Sequence, residues 1–354
     1  MLAQVASLFT TLLLALNLNL AAARSISGRA SVCNGYSELC TKSYGNVTFV
    51  GAHDSYAVGA SNIAANQDYN ATVQLNDGIR LLQVQTHNGS DGQIHLCHTS
   101  CALLDAGTFA SWLSPVKTWL EANPNEVVSI LIVNNDDLEV SLYGDIYKSV
   151  GLDTLSYSPS SSSLASSAWP TLGSMIDAGT RLVTFMDFKA DFTTVPYIID
   201  EFTNVWETAF DVTDQTFDCN INRTGTADSK MYLINHFLDK DETLLGTTFP
   251  VPDKSNLTTT NAVSGYGSLG LQAQTCGAQW GKYPSFLLVD FYDYGGGSVF
   301  QVGASLNGVT YSGTSISPPI TASTTTMAGG ASSPTVSYLH SGSLMSKFSS
   351  FSLT

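Results

Sequence analysis

Val47-Thr48-Phe49-Val50-Gly51-Ala52-His53-Asp54-Ser55-Tyr56 is an apolar run, rich in β-branched and aromatic residues, that stops on Gly-Ala and delivers a histidine and an aspartate. It predicts a buried strand ending in reactive groups. A core strand has no use for a His-Asp pair at its tip, whereas β/α barrels carry their chemistry at the C-terminal ends of their strands. Fold and function therefore turn on which other strands end beside His53 and Asp54.

Outward from this strand, placed at about 46–53, the same pattern recurs. Gly78–His87 is a second β-like run that stops on Asn88-Gly89, and Ile94–His98 is a very short third. Thr108–Asn123 sets Phe109, Trp112, Leu113, Val116, Trp119 and Leu120 at three- and four-residue spacings before Pro124, the mark of an amphipathic helix. Val127–Val133 is continuously apolar, as a strand buried on both faces should be, and ends on Asn134-Asn135-Asp136-Asp137. Helices are expected over Leu138–Val150, from Pro170-Thr171-Leu172, and over Val195–Thr208. Strands are expected at Arg181–Phe188, Met231–Phe237 and Phe286–Tyr292, and Gly265–Gly281 fits either a helix or an eighth strand. In the strand from Arg181 the period of two puts Asp187 and Lys189 on one face. This alternation, with no linker inside it, predicts one parallel α/β barrel over residues 46–308 rather than two domains.

The flanks differ from this body. Residues 1–23 join a Leu/Ala-rich segment to Ala21-Ala22-Ala23 and are expected to be a secretory signal; residues 24–45 form a polar lead-in. From 309 to 354 the chain turns to Ser, Thr, Gly and Pro, a composition expected to stay disordered, and its C-terminus lacks the apolar tail of a glycolipid-anchor signal. Five Asn-x-Ser/Thr sequons, at Asn46, Asn70, Asn88, Asn222 and Asn256, fit a secreted, extracellular glycoprotein. Six cysteines fit an oxidising compartment; Cys33/Cys40 and Cys97/Cys101 are near enough to close local loops, which leaves Cys219 and Cys276, one connectivity among fifteen. A zinc site on Cys97, His98 and Cys101 is the rival, but it lacks a second ligand pair. With only 12 % charged residues and a net charge of -15, the surface argues against nucleic acid and against coulombic adsorption to anionic membranes. No stable membrane anchor or interfacial patch is identified, so a soluble substrate stays open.

The strand ends collect His53, Asp54, Gln83, Gln85, His87, His98, Asn134, Asn135, Asp187, Lys189, Asn235, His236 and Asp290. Two imidazoles facing across a substrate suit a double proton transfer, one taking a proton from an attacking hydroxyl and the other giving one to the leaving oxygen. A carboxylate behind each ring fixes its tautomer. Such a pair serves phosphodiester cleavage by an adjacent hydroxyl and asks for no cofactor.

Gly51-Ala52-His53-Asp54-Ser55, Gly78-Ile79-Arg80-Leu81-Leu82-Gln83-Val84-Gln85, Leu96-Cys97-His98, Pro124-Asn125-Glu126-Val127-Val128 and Leu287-Leu288-Val289-Asp290-Phe291-Tyr292 together resemble the X-domain family of phosphatidylinositol-specific phospholipases C. The likeness runs through most of 46–308 and is strongest to the secreted fungal phospholipase-C-like phosphodiesterases, with Pro170-Thr171-Leu172-Gly173 and Arg181-Leu182-Val183 adding to it. It implies an irregular TIM-type barrel in a single domain. By that resemblance His53 is the general base on the inositol 2-hydroxyl, oriented by Asp290, and His98 is the general acid, supported by Asp54. The substrate it implies is an inositol phospholipid or a related phosphodiester.

The chain departs from the family at one place. Where bacterial members carry Asp-x-Arg and animal members a calcium-holding Glu-x-Asp, this sequence has Gln83-Val84-Gln85. Neutral amides replace both the cation and the calcium ligands, so no metal is expected, and His87 and Lys189 become candidates for the missing charge. Gln83, Gln85, His87, Asp187 and Lys189 are the expected substrate-binding set. Two alternatives follow: a non-catalytic secreted glycoprotein binding an inositol- or phosphate-bearing ligand, and a glycosidase, for which only Asp187 and Asp290 offer a carboxylate pair.

Overall fold

In the computed structural model, which describes residues 29–320 other than 60, 61, 224, 225, 228, 245, 246 and 314, the opening run forms β1 (Phe49–Ala52), buried at every position. The chain continues through α1 (Ala71–Asp77), β2 (Leu81–Asn88), β3 (Ile94–Cys97), β4 (Asp105–Thr108), α2 (Phe109–Ala122), β5 (Val128–Asn134), α3 (Val140–Val150), α4 (Leu172–Ala178) and β6 (Leu182–Met186). Then come β7 (Ile198–Asp200), α5 (Glu201–Asn204), β8 (Val205–Glu207), β9 (Met231–Asn235), β10 (Asp239–Leu244), β11 (Thr247–Pro252), α6 (Leu257–Thr260), α7 (Leu269–Trp280), β12 (Phe286–Val289) and α8 (Ser298–Asn307). The expected leader and residues 321–354 of the expected tail lie outside the described residues.

Eight strands run parallel in the order β7-β6-β5-β2-β1-β12-β9-β8, with β7 and β8 at the two ends. The result is an irregular TIM-type α/β barrel left unclosed between those strands. β1 lies at its centre, pairing with β12 over Phe49–Ala52 and with β2 through Gly51 and Ala52. Glycine is required there: a Cβ at Gly51 would come within 2.9 Å of Leu81 and 3.1 Å of Leu288. Alternate residues point to opposite faces of each strand. Phe49, Leu81, Leu131, Phe185, Leu233 and Phe286 form one buried cluster, while Val50, Leu82, Ile130 and Leu287 pack into a second with the helices. Each fully buried side chain of this size contributes on the order of 1.5–3 kcal/mol.

The helices form where their caps say they should. Thr108 Oγ1 accepts from the Ser111 amide at 3.2 Å to start α2, whose buried face is Phe109, Leu113, Val116, Trp119 and Leu120. Thr171 does the same for α4 through the Ser174 amide, and the ambiguous 265–281 stretch contains α7, started by Ser268.

Three expectations need correction. Residues 195–208 are not one helix: two three-residue strands flank a single turn started by Asp200, and strands that short carry no readable period. The run at Ile94 is not a barrel strand, because β3 pairs antiparallel with the end of β2 and returns toward the barrel mouth. Finally, β6 ends at Met186 and Lys189 has a left-handed φ of 67°, so strand alternation does not place Asp187 and Lys189 on one face. The β10–β11 hairpin is a further element that the hydrophobic pattern does not announce.

The disulfides are Cys33–Cys40, Cys97–Cys101 and Cys219–Cys276, so the zinc alternative loses its two thiolates. The described start of the expected tail is strapped to the barrel: the Ser317 amide donates to Asp77 at 3.1 Å and the Ile320 amide to Asp68 at 2.7 Å. No described helix is long and apolar enough to cross a membrane.

Candidate active site

His53 leaves the tip of β1 and Asp290 leaves the tip of the neighbouring β12, so the sheet register brings them together: His53 Nδ1 lies 2.8 Å from Asp290 Oδ1. Asn66 braces the pair, its Nδ2 donating to both Asp290 oxygens at 3.2 Å, and Gln67 Nε2 donates to the His53 carbonyl at 2.7 Å. The imidazole of His53 stacks flat on Phe237, centroid to centroid 3.9 Å with the planes 3° apart. Its ring is therefore fixed on an edge and on a face.

The antiparallel return of β3 delivers His98, and the adjacent Cys97–Cys101 bridge closes the loop around it. His98 Nδ1 donates to the Ala64 carbonyl at 2.5 Å, which leaves Nε2 for chemistry. Asp54 Oδ2 lies 3.4 Å from His98 Nε2 and 3.7 Å from His53 Nε2. One carboxylate thus stands between the working nitrogens of two rings, which are 12 % and 15 % exposed while Asp54 itself is fully buried.

Gln83 and Gln85 join this group through Asp54 and not independently of it. Gln83 Oε1 accepts from the Asp54 amide at 2.6 Å, and Gln85 Nε2 donates to Asp54 Oδ2 at 3.1 Å. These amides carry no charge to meet an anion, and their carbonyl oxygens are engaged, that of Gln83 by the Asp54 amide and that of Gln85 by the Thr99 amide at 3.4 Å. Among the described residues, the one set of three or more side chains with ligand atoms close enough for a single ion is Cys97, Cys101 and Asp105, and its thiols form a disulfide.

The other three expected residues lie apart from the two rings. His87 is engaged by Asp136 and Asn135, each at 3.3 Å. Asp187 accepts from the Asn134 and Phe188 amides at 2.8 Å and from Arg223 at 3.2 Å. Lys189 is exposed. His236, another strand-end histidine, is buried between Gln272 and the Thr260 carbonyl and serves the core.

Backbone conformation marks the same place. Asp54, Thr99 and Phe291 have positive φ values of 40°, 58° and 41°, so each site segment turns left-handed at or just after its reactive residue. For a β-branched or aromatic side chain this costs on the order of 1–3 kcal/mol and is found where function demands it.

Burial governs the electrostatics. It holds His53 below the usual imidazole range, an effect opposed by Asp54 and reinforced by His98. It raises Asp290 to about 8 against the Asn66 hydrogen bond, and raises Asp54 against the pull of both histidines. Near neutral pH His53 and Asp290 therefore share one proton instead of separating into two ions. Asp239, at the start of β10, is pushed up to about 8 by burial and then by the Asp290, Asp211 and Asp54 carboxylates. A mouth crowded with carboxyls thereby carries less negative charge than its composition implies.

Asn66, Gln67, Phe237 and Asp239 escape the sequence reading because they sit in loops and at the start of a hairpin, where no period applies. One signal was present: Ala64-Ala65-Asn66-Gln67 places two amides in a stretch poor in charge, and both are buried.

The family model described as PI-PLC X 1 matches residues 39–307. An uncharacterized secreted protein of Arthroderma benhamiae is 49% identical over 79% of this chain, which spans 65% of that protein's length. A PI-PLC X domain-containing protein 1 of the same organism is 42% identical over 78% of this chain and 90% of its own. Among solved structures, phosphatidylinositol-specific phospholipase C of Staphylococcus aureus (a variant form) aligns with a TM-score of 0.49 at 16% identity, covering 76% of this chain and 94% of that one. The Listeria monocytogenes enzyme aligns with a TM-score of 0.48 at 13% identity, covering 75% and 94%. With the family model spanning every strand from β1 to β12, this chain belongs to the PI-PLC X family.

Proposed function

We propose that the chain is a secreted phosphodiesterase that cleaves an inositol-type phosphodiester by histidine acid–base catalysis without a metal ion. The observation that carries this reading is the shared Asp54 carboxylate, with His53 Nε2 and His98 Nε2 at 3.7 and 3.4 Å on either side. With the shared proton on Nδ1, His53 presents a lone pair at Nε2. It removes the proton of the hydroxyl next to the phosphate, and that oxygen forms a bond to phosphorus. The bond from phosphorus to the leaving alcohol breaks as His98 Nε2 donates its proton to that oxygen. Water then reopens the cyclic phosphate with the two roles exchanged. Secretion is supported by the expected leader, the three disulfides and the description of the 49%-identical relative.

The test is to follow phosphatidylinositol and glycerophosphoinositol by phosphorus NMR, with and without chelator. Release of a cyclic inositol phosphate, unchanged by chelator, is expected. Turnover abolished by chelator ends the metal-free claim. No turnover on either substrate favours the second reading, a barrel that binds an inositol- or phosphate-bearing ligand, which the commitment of Gln83 and Gln85 to Asp54 supports.

A further inference from the structure

A phosphodiester is an anion, and its transition state concentrates charge on the non-bridging oxygens, so a mouth rich in carboxyls needs a cation. The described cations nearby are mostly spent. Arg223 is paired with Asp187 at 3.2 Å and Glu207 at 3.5 Å, His87 with Asp136 at 3.3 Å, and Lys240 with Glu242 at 2.7 Å. Lys189 is exposed beyond the end of β6.

Lys254 differs from all of these. It follows the β10–β11 hairpin, half-buried, with Nζ 4.5 Å above the ring of Phe291, the residue after Asp290. It lines a cavity of about 220 Å³ with the Lys240–Glu242 pair and with Asn62 and Ile63, immediately before Ala64, whose carbonyl holds His98. Among the described residues no carboxylate lies within ion-pair distance of it, while its charge acts on Asp290 and Asp68. Burial holds this ammonium below its ordinary range, and both carboxylates oppose that shift. A half-buried ammonium with no carboxylate at ion-pair distance, kept charged by the more distant Asp290 and Asp68, can offer its donors to an anion.

We propose that Lys254 binds the non-bridging oxygens of the scissile phosphodiester, replacing from the hairpin the charge that Gln85 cannot supply from β2. This rests on the phosphodiesterase reading, and the experiment separates the two. Lys254→Met keeps the stem over Phe291 and removes the charge; Lys254→Arg restores a charge. Turnover of glycerophosphoinositol and binding of inorganic phosphate by calorimetry are measured on the wild type, both variants and His53→Ala, with melting temperature as a control for folding.

The expected result is a fall in kcat of about 10²- to 10³-fold in Lys254→Met. Partial recovery in Lys254→Arg and loss of phosphate binding in Lys254→Met but not in His53→Ala should accompany it. A rise in KM with kcat unchanged would move Lys254 off the scissile group and overturn the assignment. So would turnover and phosphate binding equal to wild type in Lys254→Met. If no protein turns over substrate yet Lys254→Met alone loses phosphate, the anion site stands and the enzymatic reading falls. If the wild type neither turns over substrate nor binds phosphate, both fall.

Discussion

The mouth of this barrel holds two carboxylate clusters that solve the same electrostatic problem in opposite ways. On the β1/β12 side, the ion-pair partners of Asp54 and Asp290 among the described residues are imidazoles, at 3.4–3.7 Å and 2.8 Å, so the charge of the group can change with one proton. On the β6/β8 side, Asp187 and Glu207 face Arg223, which stays charged at every working pH. That guanidinium is also roofed by aromatic rings, 4.6 Å from Phe202 and 5.6 Å from Phe210. The first cluster is built around titrating imidazoles, and the second around a permanent cation. The difference fits the acid–base role proposed for the first and, for the second, the joining of strands at the side where the barrel is unclosed.

Breaking each cluster should therefore read out differently. His53→Ala is expected to lower kcat on an inositol phosphodiester by about 10⁴-fold, the upper range for a general base, while the melting temperature moves little. A loss below about tenfold would mean that His53 is not the base. Arg223→Met should do the reverse and cost about 3 kcal/mol of stability at pH 7, because two buried carboxylates lose their cation. Denaturant unfolding checks this. The loss should shrink at pH 5, because burial already raises Asp187 and its protonation relieves the unpaired charge, and an equal loss at both values would point to packing and not to charge.

What the sequence makes legible follows the same division. His53, Asp54 and Asp290 are readable because they end long apolar runs whose parallel pairing fixes where the tips meet, and β1 against β12 meets in register over four residues. His98 is readable as a residue but not as a placement, since an antiparallel excursion carries it back to the mouth. Arg223 cannot be read at all. It lies in a polar loop, and its partners lie 36 and 16 positions earlier, Asp187 just past the end of β6 and Glu207 in a strand only three residues long. His87 and Lys189 attract attention as nearby cations, yet proximity along the chain says nothing of which carboxylate each one meets. The same holds for β7 and β8, too short for a period of two to separate them from a helix.

The smallest expected effect tests whether the first cluster really is held partly protonated. Asp239 has an ordinary value of 3.8 and is pushed up to about 8, and Asp290 likewise to about 8. Between those limits the unfolded chain has released these protons while the folded chain keeps them. The contribution of these two groups is then full below about pH 4 and is lost as pH rises toward 8, since the folded state binds more protons at them across that window. Asp239→Asn removes one contributor without changing shape, so its fall in stability between pH 5 and pH 8 should be shallower than wild type by about 1 kcal/mol, the neighbouring carboxyls absorbing part of the relief. Melting temperatures of both proteins at the two pH values measure it. Parallel slopes would mean that Asp239 is ionised in the folded state. The mouth would then carry a full extra negative charge beside Asp54 and Asp290, and binding an anionic phosphodiester there would demand more positive charge than one lysine supplies.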